Sequence, residues 1–467
     1  MLRRLLYILI LLISFFSKSY SQGYEIKLIV TGEDNGVVTL AYYQGMKQII
    51  VDTALLLSES KYVIRGDSLL DEGLYLINKG KGLFINILIA QDQHFEIHTD
   101  TLFRVGNTRI DSAEETEEFL EYQKFMENMN LAKTNFQKKK KAYQLNMDSV
   151  VLYEKKIEQV NLSIKNEWQS IINENQNTLL ANTIKLFIQP DIPDFNIPDN
   201  DENVDSLKWF LSYQYYKQHF LDYTVFDDER LLHIPFFQEK VFTYITKIIA
   251  QHPDSMIKAV DEILLKSQNN EKVYKFFISN FLRSYELSNA SGGDEVFVHL
   301  VDYYYLQGKT PWVDFNEQRN LDKKATMKKS TMYGKRIELP QLYDKKGKKI
   351  MLDDINAEKL ILMFWSTDCG FCKKELTALN NFMDIASGDD MIVVALSFDI
   401  DKVKWEKYIE NYSKKMIHSN IWSSKEEIDE KIEIKSLPKY IVLDRDKRII
   451  LKTYNYNTLE KELIKKN

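Results

Sequence analysis

The only two cysteines of the 467-residue chain, Cys369 and Cys372, stand two residues apart in FWSTDCGFCKKEL, Phe364 to Leu376. A bridge between residues so spaced closes almost no loop, so it gains little from restricting the unfolded chain, and chemistry is the better reason to keep the pair. The reactive form of a cysteine is the thiolate, which a helix N-terminus favours through its unpaired amides and the positive end of its dipole. A helix that opens at the cysteines makes Cys369 the nucleophile toward a disulfide. Cys372, one turn on, then resolves the mixed disulfide by attacking Cys369. Lys373 and Lys374 add positive charge on the same turn.

The elements around the pair read as strand, helix, strand, helix, strand, strand, helix. KLILMFW is a short buried strand, the cysteines open a helix running to about Ile385, and MIVVALSFD is the next buried strand. Asp401 to Tyr412 reads as a second helix, YIVLD and RIILKTY as a hairpin around Arg445 to Lys447, and a short charged helix follows. That order is an α/β layer spanning residues 334–467.

The preceding chain divides by its periodicity. Residues 22–108 alternate in β-rich runs, YEIKLIV, GVVTLAYY, QIIVD, KYVIRG, LYLIN, FINILIA and HFEIHT, which predict a small all-β, sandwich-like domain. Residues 109–330 predict a helical region. Phe119, Tyr122, Met126 and Met129, then Val150, Tyr153, Ile157, Val160, Ile164, Trp168 and Ile171, give two long amphipathic helices turning near Asn146 to Asp148. Their apolar stripe is expected to pack within its own chain and sets no oligomeric state, and the run Lys138 to Lys141 reads as a solvated face. Three of the eight prolines fall in IQPDIPDFNIPDN, Ile188 to Asn200, and interrupt the helices.

The first residues, 1–21, set Arg3 and Arg4 ahead of an apolar run from Leu5 to Phe16 and then small and polar residues, the layout of a secretory signal peptide cut near Ser21. An uncleaved membrane anchor is the alternative. Losing that segment removes Arg3, Arg4 and Lys18 and no acid, so the formal charge moves from −6 to −9. So acidic a chain argues against nucleic acid as a partner.

Taken together, the entry segment ELPQLYDKKGKKIMLDDI, the strand ending in FW, CGFC, the KKE after it and SLPKYIVLD about seventy residues later make the chain from Gly334 to Asn467 resemble the thioredoxin superfamily, and within it the TlpA/ResA-like envelope thiol-disulfide oxidoreductases. The resemblance implies a cis peptide bond between Leu437 and Pro438, facing the cysteines and docking substrate. It places Glu375, three residues after Cys372 on the same helix face, where these relatives carry an acidic residue, and so makes it the proton acceptor for Cys372. It further implies a periplasmic or envelope protein, more reductant than oxidant, with disulfide-bonded envelope proteins as substrates and a membrane thiol partner as electron donor. Two positions depart from the pattern. Met363 replaces the buried Asp of thioredoxin, and Asp368 replaces a common Trp, setting a negative charge beside the nucleophile.

Other chemistries fit less well. The seven histidines, 94, 98, 219, 233, 252, 299 and 418, are scattered, and His94 and His98 on one strand stand about 13 Å apart, so no metal or other cofactor is expected. A thiol peroxidase lacks its proline and threonine here, Pro340 lying too early. A binding protein that uses the α/β layer only for docking is the remaining alternative, with the first 330 residues as its working surface.

Overall fold

The computed structural model describes residues 23–32, 36–44, 47–58, 60–197, 203–288, 292–385, 391–410, 412, 416–432, 434 and 436–464. The proposed signal peptide, residues 1–21, lies outside them. The chain divides into two compact units, Met1–Ile248 and Ile249–Asn467.

In the first unit the alternating runs become β1 (Tyr24–Thr31), β2 (Val37–Gln44), β3 (Lys47–Ser58), β4 (Lys61–Gly66), β5 (Gly73–Gly80), β6 (Leu83–Ile89), β7 (His94–Asp100) and β8 (Arg109–Asp111). They form one eight-stranded sheet in the order β6-β5-β2-β3-β4-β1-β7-β8, with β1 and β7 parallel. Register shifts at Leu40/Ala41 and Leu56/Ser58 on either side of the twelve-residue β3 bend the sheet there. Both halves consequently share one core, in which Ile26, Leu28 and Ile64 meet Ile77, Ile85 and Ile87, so a single folded sheet provides the sandwich-like packing.

Two helices, Glu114–Ala142 and Met147–Glu174, follow as an antiparallel pair. Asn146 caps the second by accepting from the Ser149 amide at 3.0 Å, which fixes the turn where the periodicity put it. Thr116 donates to the Leu88 carbonyl at 2.8 Å and ties the base of the pair to β6. The proline-rich stretch is irregular through residue 197, and helix resumes at Val204.

The second unit begins with helices Pro253–Ser267, Glu271–Leu287 and Gly293–Leu300, the last running into a π-helical turn at Val301–Tyr305, and then Phe315–Lys329. A two-stranded hairpin of β9 (Leu342–Tyr343) and β10 (Lys349–Ile350) leads to β11 (Lys359–Trp365), helix Gly370–Ile385, β12 (Met391–Ser397), helix Lys402–Tyr408, β13 (Met416–Asn420), helix Lys425–Lys431, β14 (Lys439–Leu443), β15 (Ile449–Thr453) and helix Tyr456–Ile464. The sheet order is β13-β12-β11-β14-β15. β11, β12 and β13 run parallel, and β14 and β15 antiparallel. Central β11 is covered on both faces: Ile361, Met363 and Trp365 join the layer under the cysteine helix, while Leu360, Leu362 and Phe364 join the opposite one. Each such side chain contributes about 2 kcal/mol by burial, which is why this strand reads as an unbroken apolar run.

Three details differ from the sequence expectation, one of them the helix Lys425–Lys431 before β14, which the expected order lacks. The helix after Asp401 ends at Tyr408 rather than Tyr412, with Ile409 as its C-cap. The edge strand β13, MIHSN, was absent from the expected order, since its three polar residues hide the strand pattern.

The helices and the α/β layer of this unit are joined by buried charge. Lys328 and Lys452 donate to the two oxygens of Asp294 at 2.5 and 2.9 Å, and Glu295 accepts from the Tyr333 amide at 3.0 Å. Burial alone raises the Asp294 pKa, but the two ammonium groups outweigh it and hold the carboxyl well below the usual range.

Candidate active site

Cys369 lies in the turn between β11 and the helix Gly370–Ile385, and Cys372 lies in that helix's first turn. The two sulfurs are bonded at 2.04 Å. Cys369 is partly exposed and Cys372 fully buried, the asymmetry that an attacking and a resolving thiol require. The Cys372 amide donates to Cys369 Sγ at 3.0 Å, so the helix N-terminus points a donor at the sulfur that would carry negative charge. Between them Gly370 has open space around it and Phe371 is 60 % exposed, leaving the dipeptide free to face a partner.

The turn is held from β12. Asp399, buried just beyond that strand, accepts from the Thr367 amide at 2.8 and 3.0 Å, the Thr367 hydroxyl at 2.6 Å and the Ser366 hydroxyl at 3.0 Å, and also from Ser397. A carboxylate accepting so many donors fixes the residues that present Cys369. Sequence reasoning missed Asp399. The signal was its place at the end of MIVVALSFD, where an acid following a buried strand needs partners.

From the other side comes the segment between Ser436 and β14. The Leu437–Pro438 bond is cis, and the Leu437 carbonyl oxygen lies 3.8 Å from Cys369 Sγ. Of the two residues that the resemblance named as substrate-docking, Leu437 is thus brought to the partly exposed Cys369, with Pro438 next to it in the chain.

Glu375 is 9 % exposed, on the same helix as Cys372 and one turn beyond it. Its Oε2 accepts from the Tyr440 hydroxyl at 2.8 Å and its Oε1 from the Tyr456 amide at 3.3 Å. Burial, and then the Glu375 charge, push the Tyr440 phenol far up, so it remains a donor. Asp368 is exposed and paired with Lys404, whose hydrogen bond and charge hold the carboxyl below its ordinary value. That pairing offsets the negative field expected beside Cys369.

The remaining histidines do not converge. His94 Nε2 meets the Gly23 carbonyl at 2.7 Å and His98 Nε2 meets Glu96 at 2.7 Å, each on its own partner. Among the described residues no group of three or more His, Cys, Asp or Glu side chains is arranged to hold a metal ion. No described helix is long and apolar enough to cross a membrane.

A thioredoxin-like family model matches residues 356–449, the stretch that contains the cysteines, Glu375 and Pro438. These residues form a thioredoxin-like domain. A second model, a domain of unknown function (DUF5106), matches residues 154–330. The thioredoxin-like domain is similar to the thiol-disulfide oxidoreductase ResA of Bacillus cereus, 26 % identical over 117 residues that make up 25 % of this chain and 66 % of that protein, just under two thirds of its length. The chain is also similar to a thioredoxin-like protein from Bacteroides caccae, at 16 % identity over 60 % of this chain and 98 % of that one, TM-score 0.47. A domain of a possible thiol-disulfide isomerase from Cytophaga hutchinsonii matches at 24 % identity over 28 % of this chain and 91 % of that one, TM-score 0.26. Homology to thiol-disulfide oxidoreductases supports a redox function for the thioredoxin-like domain.

Proposed function

We propose that the chain is an exported thiol-disulfide oxidoreductase that reduces protein disulfides in the cell envelope with its CGFC dithiol. One observation carries this reading: a partly exposed Cys369 is met by the Cys372 amide on one side and by the Leu437 carbonyl on the other, with Cys372 buried behind it. Cys369 thiolate attacks a substrate disulfide, forming a mixed disulfide and releasing one substrate thiol. Cys372 gives its proton to Glu375 and attacks Cys369 Sγ, releasing the second substrate thiol and closing the Cys369–Cys372 bond. Backbone groups at Leu437 and Pro438 pair with the substrate peptide as an added strand.

Export is supported by the signal-like pattern of residues 1–21 and gives the site disulfide-bonded envelope proteins as substrates. Because such a compartment is oxidising, a thiol-carrying membrane partner must reduce the Cys369–Cys372 disulfide again. The test is insulin reduction by the full chain after treatment with dithiothreitol. Turbidity that appears with the wild type and vanishes with Cys369→Ala supports the enzyme. A reduced chain that leaves insulin intact favours the docking alternative.

A further inference from the structure

We propose that Tyr440 is the positioning residue that aims Glu375 at Cys372, an assignment that rests on the dithiol reading above. Tyr440 lies on β14 with no exposed surface, in the same core layer as Cys372, Leu376 and Leu379. Its hydroxyl makes one hydrogen bond among the described residues, the 2.8 Å donation to Glu375 Oε2. A phenylalanine would fill the same space, so the hydroxyl has no packing purpose, and burying it pays only if the carboxylate needs holding.

Glu375 begins one turn beyond Cys372, and an unrestrained glutamate there would rotate its carboxylate toward water. Tyr440 on Oε2 and the Tyr456 amide on Oε1 prevent that from the strand side. The segment 437–440 therefore serves both sulfurs: the Leu437 carbonyl lies beside Cys369, and Tyr440 holds the proton acceptor for Cys372.

In the resolving step the Cys372 proton moves to Glu375, the Cys372–Cys369 bond forms and the bond from Cys369 to the substrate sulfur breaks. The leaving thiolate takes up a proton, and Tyr440 keeps its own throughout. The other groups around Glu375 are Tyr456 and Glu460, bonded to each other at 3.2 Å on the last helix, whereas on its own helix Lys373 lies over the Tyr408 ring and Lys374 is exposed. Burial, and then Glu460, push Tyr456 up to about 12, so neither tyrosine ionises in the working range.

The test uses the full chain, reduced and mixed with 5,5′-dithiobis(2-nitrobenzoate), which releases one chromophore when Cys369 attacks and a second when Cys372 resolves. Tyr440→Phe is expected to leave the first release unchanged and to slow the second roughly tenfold near neutral pH, the worth of one hydrogen bond to a charged group. The difference should close at alkaline pH, where Cys372 ionises unaided. On a Glu375→Gln background, Tyr440→Phe should add nothing, because Tyr440 acts only through Glu375. An unchanged second release, or equal slowing on the Glu375→Gln background, overturns the assignment. If Tyr440→Phe does not fold, Tyr440→Met carries the same comparison. The reagent is indifferent to natural substrate and direction, so a chain that fails with insulin but shows this profile loses the proposed function and keeps the positioning role.

Discussion

Each unit of the molecule contains a knot of half-buried charge, and the two differ in what they leave open. In the first unit Arg230 donates to Asp228 at 2.8 Å, to Glu72 at 3.1 Å and to the Asn177 carbonyl at 2.8 Å, while Asn182 completes Asp228 at 2.7 Å. Burial raises the Asp228 pKa, but Arg230 and Asn182 outweigh it and hold the carboxyl down. Every strong donor there ends on a protein acceptor. In the second unit Asp399 and Glu375 are just as well bonded, yet what they fix is a turn carrying a reactive sulfur and a carboxylate one turn from a thiol. Burial and hydrogen bonding are common to both knots. Function follows from what the network presents.

The largest effect expected to separate the two concerns the cysteines themselves. Cys372→Ala leaves Cys369 able to attack but removes the resolving thiol, so mixed disulfides with substrates and donor should accumulate and collapse on reduction. Cys369→Ala should trap far fewer, because Cys372 is buried. Non-reducing gels with mass spectrometry of the trapped bands read the result. Equal trapping by both variants would break the comparison, since the second knot would then present nothing that the first does not.

Next comes a buried polar group that belongs to neither knot. His418, on the edge strand β13, is 8 % exposed, lies edge-on to Tyr412 and has no hydrogen-bond partner among the described residues. Burial, and then the Lys345 charge, hold its pKa down to about 4. Above about pH 6.5 the imidazole is neutral in both folded and unfolded chains. Between 6.5 and 4 only the unfolded chain binds the proton, so stability falls as pH drops through that window, by about 3 kcal/mol in all. The depressed Asp294 carboxyl adds its own loss only at lower pH, below the ordinary carboxylate value of about 4. Urea titrations at stepped pH should show the slope, and His418→Phe should flatten the upper part of it. An equal slope in the variant would assign the loss to other groups.

How much of this was legible in the sequence varies with the physics involved. β11, the cysteine helix and the helical pair announce themselves because one face or both are apolar at a fixed period. The dithiol, Glu375 and Pro438 are legible because their spacing is short or their motif is shared. Asp399, Tyr440 and Arg230 are not, since each acts across the fold: Tyr440 is 65 residues from Glu375, and Arg230 is 158 from Glu72. β13 failed for a different reason: an edge strand of five residues carries too few apolar positions to set a pattern.

The first knot gives a smaller effect. Arg230→Met leaves Asp228 and Glu72 without their cation. The expected cost is roughly 2 kcal/mol, below the 3–5 of fully buried pairs because Arg230 remains partly exposed. Chemical denaturation should register the loss in the transition that melts the first unit. The chromophore release from Cys369 and Cys372 in the folded protein should not change. A fall in that rate would mean the closed knot also supports the dithiol.

The smallest effect tests the rim of the second site. Asp368, next to Cys369, is exposed and paired with Lys404, and neither group is buried. A pair so solvated adds nothing measurable to stability, so Asp368→Asn should melt with the wild type. Its influence on the sulfur has a definite sign. While Asp368 is present, Lys404 is largely neutralised. Without it, Asp399 and Asp401 still act on Lys404, but the turn that carries Cys369 loses its own carboxylate, so the balance of charge shifts toward Lys404 and Lys373 and favours the thiolate. Alkylation of Cys369 below its pKa should therefore quicken roughly twofold in Asp368→Asn and slow to a similar degree in Lys404→Gln, both changes shrinking as salt is added. Opposite signs in the two variants would show that even the exposed edge of this knot is tuned to the sulfur, whereas changes of the same sign, or none, would confine the tuning to the buried groups beneath it.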